Sequence, residues 1–543
     1  MKKRLKINYL TILWLAFYIF LLALFLKQSY SYLDPDLGWH LKTGQQIVTT
    51  LKLPQTNQIN FPVLGQKWID HEWLSNVIVY EIYSHLGYLA LTALFAIIFL
   101  SIFVLLNWWL KNKILKEKFH SGLIIFLEIF GAIALSPHIG IRIQMITTLG
   151  LLATVIIINN YQNTYRWSKL LWLIPIFYLW ANLHAGFFAG FVALTLFWLA
   201  KIIEKLLPSL KSPNTLAPNR SLIVVGVAIS LLAIASTFVT PYKLELYNFL
   251  FGYRDTFYLT HISEWLPQWA YPYIYSQFAY LCLALVFICF SLAAIFGKRN
   301  TPLNLWQLLL TIAFWIMAVK SRRHFPLFFV VSLPFLAEAL FDYLNLKTVS
   351  LAYLEKLFLV IRWLLVSFLL LISIDTIAQT NFVANPFNYF CQDRAKTNPG
   401  RHLYPCAATA WLQSHPEYQN YNLLNSFGWG GYLIWIYPEK KLFIDGRAPQ
   451  AQYHNQSILA EYYDFWDVNK TADKLAEHNI RMVLTKKRPQ PTHLSWLAKN
   501  FLLISEQEIN GQSQRDYLLD YLKLNRNWKL VYQDDLSIIY VKP

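Results

Sequence analysis

"MKKRLKINYLTILWLAFYIFLLALFL", residues 1–26, decides the fold. Lys2, Lys3, Arg4 and Lys6 precede an apolar run that is too long for the core of a signal peptide and lacks a small-residue cleavage site. The run therefore reads as an uncleaved first transmembrane helix with its N-terminus on the cytoplasmic side. The rest of the chain agrees. It has 543 residues, 56% hydrophobic, 17% aromatic and only 14% charged, with a mean hydropathy of +0.36. A soluble chain of this length needs far more charge to cover its surface, whereas lipid-facing helices need apolar side chains there.

Further apolar windows fall near residues 88–110, 121–137, 145–160, 170–184, 186–206, 221–240, 276–297, 303–319, 324–343 and 357–379. With the first they make eleven helices, an odd number that sends the C-terminus to the opposite, outer face. The loops assigned to the inner side hold Lys111, Lys113, Lys116 and Lys118, then Arg166 and Lys169, then Lys205, Lys211 and Arg220, then Lys298 and Arg299. One outer cluster breaks the positive-inside pattern: Lys320, Arg322 and Arg323 in "VKSRRHFP". The net charge of +17 is dispersed over short loops rather than gathered on one arm, which argues for topology signals and against a nucleic-acid partner.

The expected fold class is thus a polytopic α-helical membrane protein of about eleven transmembrane helices with a C-terminal extracytoplasmic α/β domain. Residues 1–379 form the membrane module, with long outer loops at 28–87 and 241–275, and residues 380–543 form the α/β domain, a normal size for one core. In that domain "YNLLNS", "GYLIWIYP", "KLFIDGR" and "RMVLTKK" read as strands. "LVYQDDLSIIYVK" reads as a hairpin about Asp534 and Asp535, and "AATAWLQSHP" and "TADKLAEHNI" as helices. There is no GxGxxG, no P-loop and no Cys/His cluster at zinc spacing. Cys282 and Cys289 lie inside an apolar run as packing residues, while Cys391 and Cys406, outside the cytoplasm, are candidates for a disulfide.

The outer loops carry the chemistry. "YLDPDLGWHLK", residues 32–42, follows the first helix and sets Asp34, Asp36 and His40 just past the membrane edge. A structural reading is available: Asp34 as N-cap, Pro35 at the first helical position and Asp36 favouring the helix dipole. The same loop continues with "GQKWIDHEWLSNVIVYEIYSHLG", which brings Asp70, His71, Glu72 and Trp73 to the start of an amphipathic helix at the interface. Two clusters of acid, His and Trp exceed what caps require. Elsewhere, His184 in "WANLHAGF" stands where a helix emerges, beside the small Ala185 and Gly186. Glu264 and His261 lie in the second long loop, and Asp445 and Arg447 of "FIDGR" suit either binding of a sugar or acceptor or a local turn salt bridge, the salt bridge being the expected role. Glu128 is a carboxylate within a span and needs a partner, for which Arg142 is the candidate.

The pieces "DPDLGWHLKTGQQI", "GQKWIDHEWLSNVIVYEIYSHLGYLAL", "WANLHAGFFAG", "SEWLP", "RRHFP" and "GGYLIWIYPEKKLFIDGR" occur in this order over residues 34–447. In these the chain resembles the GT-C superfamily of membrane glycosyltransferases, which includes protein O-mannosyltransferases and lipid A aminoarabinose transferases, and more closely a bacterial branch of it. The resemblance implies an inverting transferase in the bacterial cytoplasmic membrane. It would move a sugar from a polyprenyl-phosphate donor to a glycan, lipid or protein acceptor of the cell envelope on the outer face. It also implies that an acidic residue of the first outer loop acts as general base or metal ligand, a role that falls on Asp36 and Asp34. A divalent metal, Mg or Mn, is left open. His40, His71, Glu72, His184, Glu264, Arg322 and Arg323 are the candidate substrate-binding residues, the two arginines because guanidinium groups hold phosphate oxygens in bidentate fashion. Departures from the pattern are "TPYK" after the seventh helix and "HAGF" at 184–187. Two other readings compete: a transporter or flippase for a lipid or lipid-linked glycan, for which the chain shows no internal repeat, and a non-catalytic envelope glycan assembly protein.

Overall fold

The computed structural model describes residues 9–31, 33–115, 121–210, 220–252, 256–270, 275–296, 304–346, 351–380, 382, 385–389, 404–487 and 516–543. Lys116, Lys118, Lys211, Lys298, Arg299 and Cys391 lie outside these residues. Through residue 378 the helices are α1 (Tyr9–Ser31), α2 (Leu37–Thr50), α3 (Trp73–Trp109), α4 (Ser121–Leu135), α5 (Gln144–Thr164), α6 (Leu173–Leu183), α7 (Phe188–Leu206), α8 (Arg220–Ser236), α9 (Leu244–Gly252), α10 (Thr256–His261), α11 (Tyr275–Phe296), α12 (Leu305–Lys320), α13 (Phe325–Leu346) and α14 (Leu351–Ala378).

Each of the eleven apolar windows contains a helix. Among the described residues, seven helical runs are long and apolar enough to cross a membrane, and α8, α12 and the Trp363–Ala378 part of α14 are shorter apolar helices. The window at 170–184 is divided between a 3-10 turn, Trp167–Trp172, and α6, where Pro175 sits in the first turn and no backbone donor is lost. The chain is therefore a multi-pass helical membrane protein with a C-terminal mixed α/β region.

Two compact units are formed. The first comprises residues 1–32, 92–243 and 264–382. Here α13 is deeply embedded, with Phe328, Phe329, Val330 and Leu333 fully buried. Phe329 lies against Gly131 of α4 so closely that no Cβ fits there. Glu128 is buried, and Asn107 Nδ2 donates to its Oε2 at 2.9 Å. Arg142, the partner expected from sequence proximity, instead engages Glu264 at 2.8 Å. A buried carboxylate needs a donor, and the amide of Asn107 supplies one without placing a second charge in the bundle.

The second unit comprises residues 33–91, 244–263 and 383–543, so most of the first long loop and the 244–263 part of the second cluster with the C-terminal region. Its further helices are α15 (Pro386–Tyr389), α16 (Cys406–Gln413), α17 (Gly430–Ile436), α18 (Ile458–Asp464), α19 (Thr471–Glu477) and α20 (Tyr517–Leu524). The strands are β1 (Asn422–Asn425), β2 (Gln452–Tyr453), β3 (Gln456–Ser457), β4 (Ile480–Lys486), β5 (Lys529–Gln533) and β6 (Ser537–Val541). The main sheet has the order β1-β4-β6-β5, with β1 parallel to β4 and the other pairs antiparallel. β6 is buried along its whole length, as an interior strand covered on both faces must be. Cys406 is disulfide-bonded.

Two strand expectations need correction. "GYLIWIYP" forms the helix α17, because its backbone at Gly430 and Gly431 is packed against other main chain and only a compact turn fits. "KLFIDGR" forms no named strand. Leu442 makes isolated bridges to Leu423 and Asn60, and the chain then turns at Asp445. In both segments packing overrides the β-propensity of the aromatic and branched residues.

Candidate functional site

In the second unit, "DPDLGWH" meets "GGYLIWI" and "FIDGR". Asp34 Oδ1 accepts the Asp36 N–H at 2.9 Å, which fixes the turn into α2. Asp36 occupies the N-cap position but makes no side-chain cap hydrogen bond. Its Oδ1 instead lies against Gly446, where a Cβ has no room. Gly38 likewise faces the Gly431 carbonyl, and Gly431 faces that of Pro35, so α2 and α17 approach backbone to backbone. The Trp39 indole, 5% exposed, also lies beside Gly446, and its N–H has no acceptor among the described residues.

One turn along α2, His40 is buried and donates from Nδ1 to Asn76 Oδ1 at 2.6 Å, a direction fixed because Asn76 Nδ2 donates to both Asp70 oxygens at 2.9 Å. Glu72 Oε2 is 3.8 Å from the same His40 nitrogen, and Glu72 Oε1 is 3.7 Å from His71 Nε2. Burial lowers His40 to about 3, so its imidazole is neutral at pH 7. Burial raises Asp70 to about 6 against the opposing pull of Asn76, the Glu72 N–H and Arg447. Arg447 forms the local bidentate pair with Asp445, at 2.9 and 2.7 Å, and stacks 5.0 Å from the Trp68 ring.

In the first unit, "SEWLP" and "RRHFP" are held together by main-chain bonds. Arg323 N–H donates to the Glu264 carbonyl at 2.9 Å and Arg322 N–H to that of Leu266 at 3.1 Å. The Glu264 carboxylate receives Arg142 Nη1 at 2.8 Å and Arg323 Nη1 at 3.5 Å, and Arg323 stacks 5.0 Å from the Trp265 ring. Burial acts to raise Glu264, but Arg142 and then Arg323 outweigh it and hold the carboxyl at about 2. Two guanidinium groups, those of Arg142 and Arg323, thus meet one carboxylate and leave local positive charge. A carboxyl held below its usual 4.5 contributes stability that is complete above about pH 4.5 and lost as the pH falls through about 2. We expect Glu264→Gln to lower the thermal midpoint at neutral pH and to flatten its fall between about pH 4.5 and 3, as measured by unfolding in detergent.

His184 belongs to a separate constellation in the first unit. Its Nδ1 accepts the Gly186 N–H at 2.9 Å and lies 2.7 Å from Thr147 Oγ1, which also receives the Trp180 indole at 3.1 Å. These bonds close the turn between α6 and α7. No local feature of the chain marks Asn76, Thr147 or the Arg142–Glu264 pair, because their partners lie 36, 37 and 122 positions away.

Three further ligand-type side chains, Glu461, Glu477 and His478, place one ligand atom each within 4.8 Å of one another. Lys474 Nζ already lies 2.7 Å from Glu461 and 2.9 Å from Glu477, so an ammonium supplies the charge a metal would bring. Asp34 and Asp36 offer hard oxygen donors of the kind Mg or Mn takes.

No family model matches the chain, and no curated protein matches it by sequence. Its fold is similar to that of the apo crystal structure of the Archaeoglobus fulgidus oligosaccharyltransferase. That likeness has a TM-score of 0.54 at 12% identity, and covers 89% of this chain and 70% of the other.

Proposed function

We propose that the chain is a GT-C-type membrane glycosyltransferase that takes a sugar from a polyprenyl-phosphate-linked donor. The supporting observation is Asp36, whose carboxylate lies against Gly446 beside the buried indole of Trp39 at the start of α2. The likeness to an oligosaccharyltransferase over most of the chain agrees with this reading.

In the proposed reaction the acceptor hydroxyl oxygen attacks the anomeric carbon, and its proton passes to the Asp36 carboxylate. The bond from that carbon to the phosphate oxygen breaks, and the electron pair leaves with the polyprenyl phosphate, so the anomeric configuration inverts. Arg322 and Arg323, whose planar guanidinium forks match phosphate oxygens, are the proposed holders of the donor's phosphate, with Glu264 and Trp265 orienting Arg323. Asp34 positions Asp36 through its main-chain N–H. His40, held neutral and oriented through Asn76 by Asp70, together with His71 and Glu72, binds the sugar or acceptor; His184 shapes the turn between α6 and α7. A divalent metal would be held by Asp34 and Asp36, whose hard oxygens suit it, and would supply positive charge. Residues 28–87, 241–275 and 380–543 then face the outer side of a bacterial cytoplasmic membrane.

The test of the reading is mass spectrometry of surface glycans and glycolipids from cells with and without the chain. An unchanged profile overturns it. For the donor site, Arg323→Lys keeps charge but loses the planar fork and the Trp265 stack. We expect it to weaken binding of a polyprenyl-phosphate sugar by about tenfold, and Arg323→Gln to weaken it more, both in folded protein. Equal affinity in all three forms would return Arg323 to a purely structural pair with Glu264.

A further inference from the structure

A groove of about 560 Å³ opens on the surface of the second unit, well apart in sequence from "DPDLGWH" and built from α10, α18, the 466–470 turn and the start of α20. This size falls within the range of ligand sites, roughly 300–1,000 Å³. Its walls are unusual for a surface in being aromatic. Phe257 and His261 stack face to face, 3.7 Å apart and 7° from parallel, so each covers one face of the other. Tyr463, 41% exposed, packs at an angle against that pair, 5.6 Å from Phe257 at 62° and 5.2 Å from His261. Trp466 and Tyr517 complete the apolar lining.

The polar edge is equally specific. Asp464 Oδ1 holds Lys470 Nζ at 2.8 Å, Asp467 Oδ2 lies 4.0 Å from the same ammonium, and Gln456 adds an amide. Two carboxylates against one lysine disfavour a phosphate or another anion, and the lysine already supplies the positive charge that would otherwise recruit a metal. A helix or lipid chain would bury these ionic groups without replacing their water, which is costly. The ligand that fits has flat apolar faces and hydroxyls around its rim, both donors and acceptors. A pyranose is that ligand.

We propose that this groove binds a neutral saccharide chain, with a sugar face packed on the exposed Tyr463 ring beside the Phe257–His261 pair and its hydroxyls bonded to Asp464, Asp467, Lys470 and Gln456. Binding stands on the groove alone. That the bound saccharide is the acceptor, making a glycan rather than a protein the substrate, rests on the transferase reading.

Saturation-transfer NMR on the full chain in detergent, with neutral hexasaccharides of glucose, mannose and N-acetylglucosamine as probes, tests it. At least one hexasaccharide should receive saturation; Tyr463→Ala should weaken its binding tenfold or more, while Tyr463→Phe, which keeps the ring, should retain it. Asp36→Asn should bind as the unaltered chain does. The groove proposal is overturned if no hexasaccharide binds at millimolar concentration, if Tyr463→Ala binds unchanged, or if only a Ser/Thr-rich peptide is taken up. If sugar binds as expected but Asp36→Asn still transfers, the catalytic assignment fails and the groove stands.

Discussion

Replacing Asp36 by Asn is expected to reduce sugar transfer by about 10²–10⁴-fold, the range lost with a general base, while stability changes by under about 0.5 kcal/mol. Asn has nearly the same shape and keeps an oxygen that can face Gly446. As an N-cap it is at least the equal of Asp. No cap bond is at risk, since the Asp36 side chain makes none. What Asn lacks is the ability to take a proton, so a structural carboxylate and a catalytic one separate cleanly in this variant. The readouts are the surface-glycan profile and the thermal midpoint of the purified chain. Full restoration of the profile by Asp36→Asn would remove Asp36 from the chemistry and leave it as the start of α2. Loss of both glycan and stability would assign it a packing role.

The second large effect is on folding. Gly38→Ala puts a methyl group onto the main-chain carbonyl of Gly431, and backbone cannot rotate out of the way as a side chain does. Overpacking in a filled interior costs about 1–3 kcal/mol, and a clash with backbone lies at the upper end. We expect a clear fall in thermal midpoint and faster hydrogen exchange in α2 and α17. The two elements separate only if the turn at Asp34–Asp36 also shifts, so activity should fall with stability, unlike in Asp36→Asn. A Gly38→Ala protein of ordinary stability would mean that α2 and α17 do not need this close approach.

The membrane class was fully legible in the chain. Lipid permits only apolar helices with internally satisfied backbone, so length and hydropathy suffice, and helices occur at all eleven apolar windows. The break in the third helix also left a mark, at Gly87, whose φ of 77° divides the Trp73–Trp109 run where the sequence changes from amphipathic to uniformly apolar. The β5–β6 hairpin and the β4 strand followed from alternation and turn residues, which act over a few positions.

What the sequence could not decide was partner choice across long separations. It identified Asp34, Asp36, His40, Glu264, Arg322 and Arg323 as chemically suited residues. Only the fold joined Glu264 to Arg142 rather than Arg142 to Glu128, threaded His40 to Asp70 through Asn76, and turned "GYLIWI" into a helix on the back of Gly38. The reason is physical. Transfer from water to lipid is a property of each residue and sums along the chain, so it can be read locally. A buried hydrogen bond or a backbone contact depends on which distant surface arrives opposite, and that is set by the packing of the whole unit.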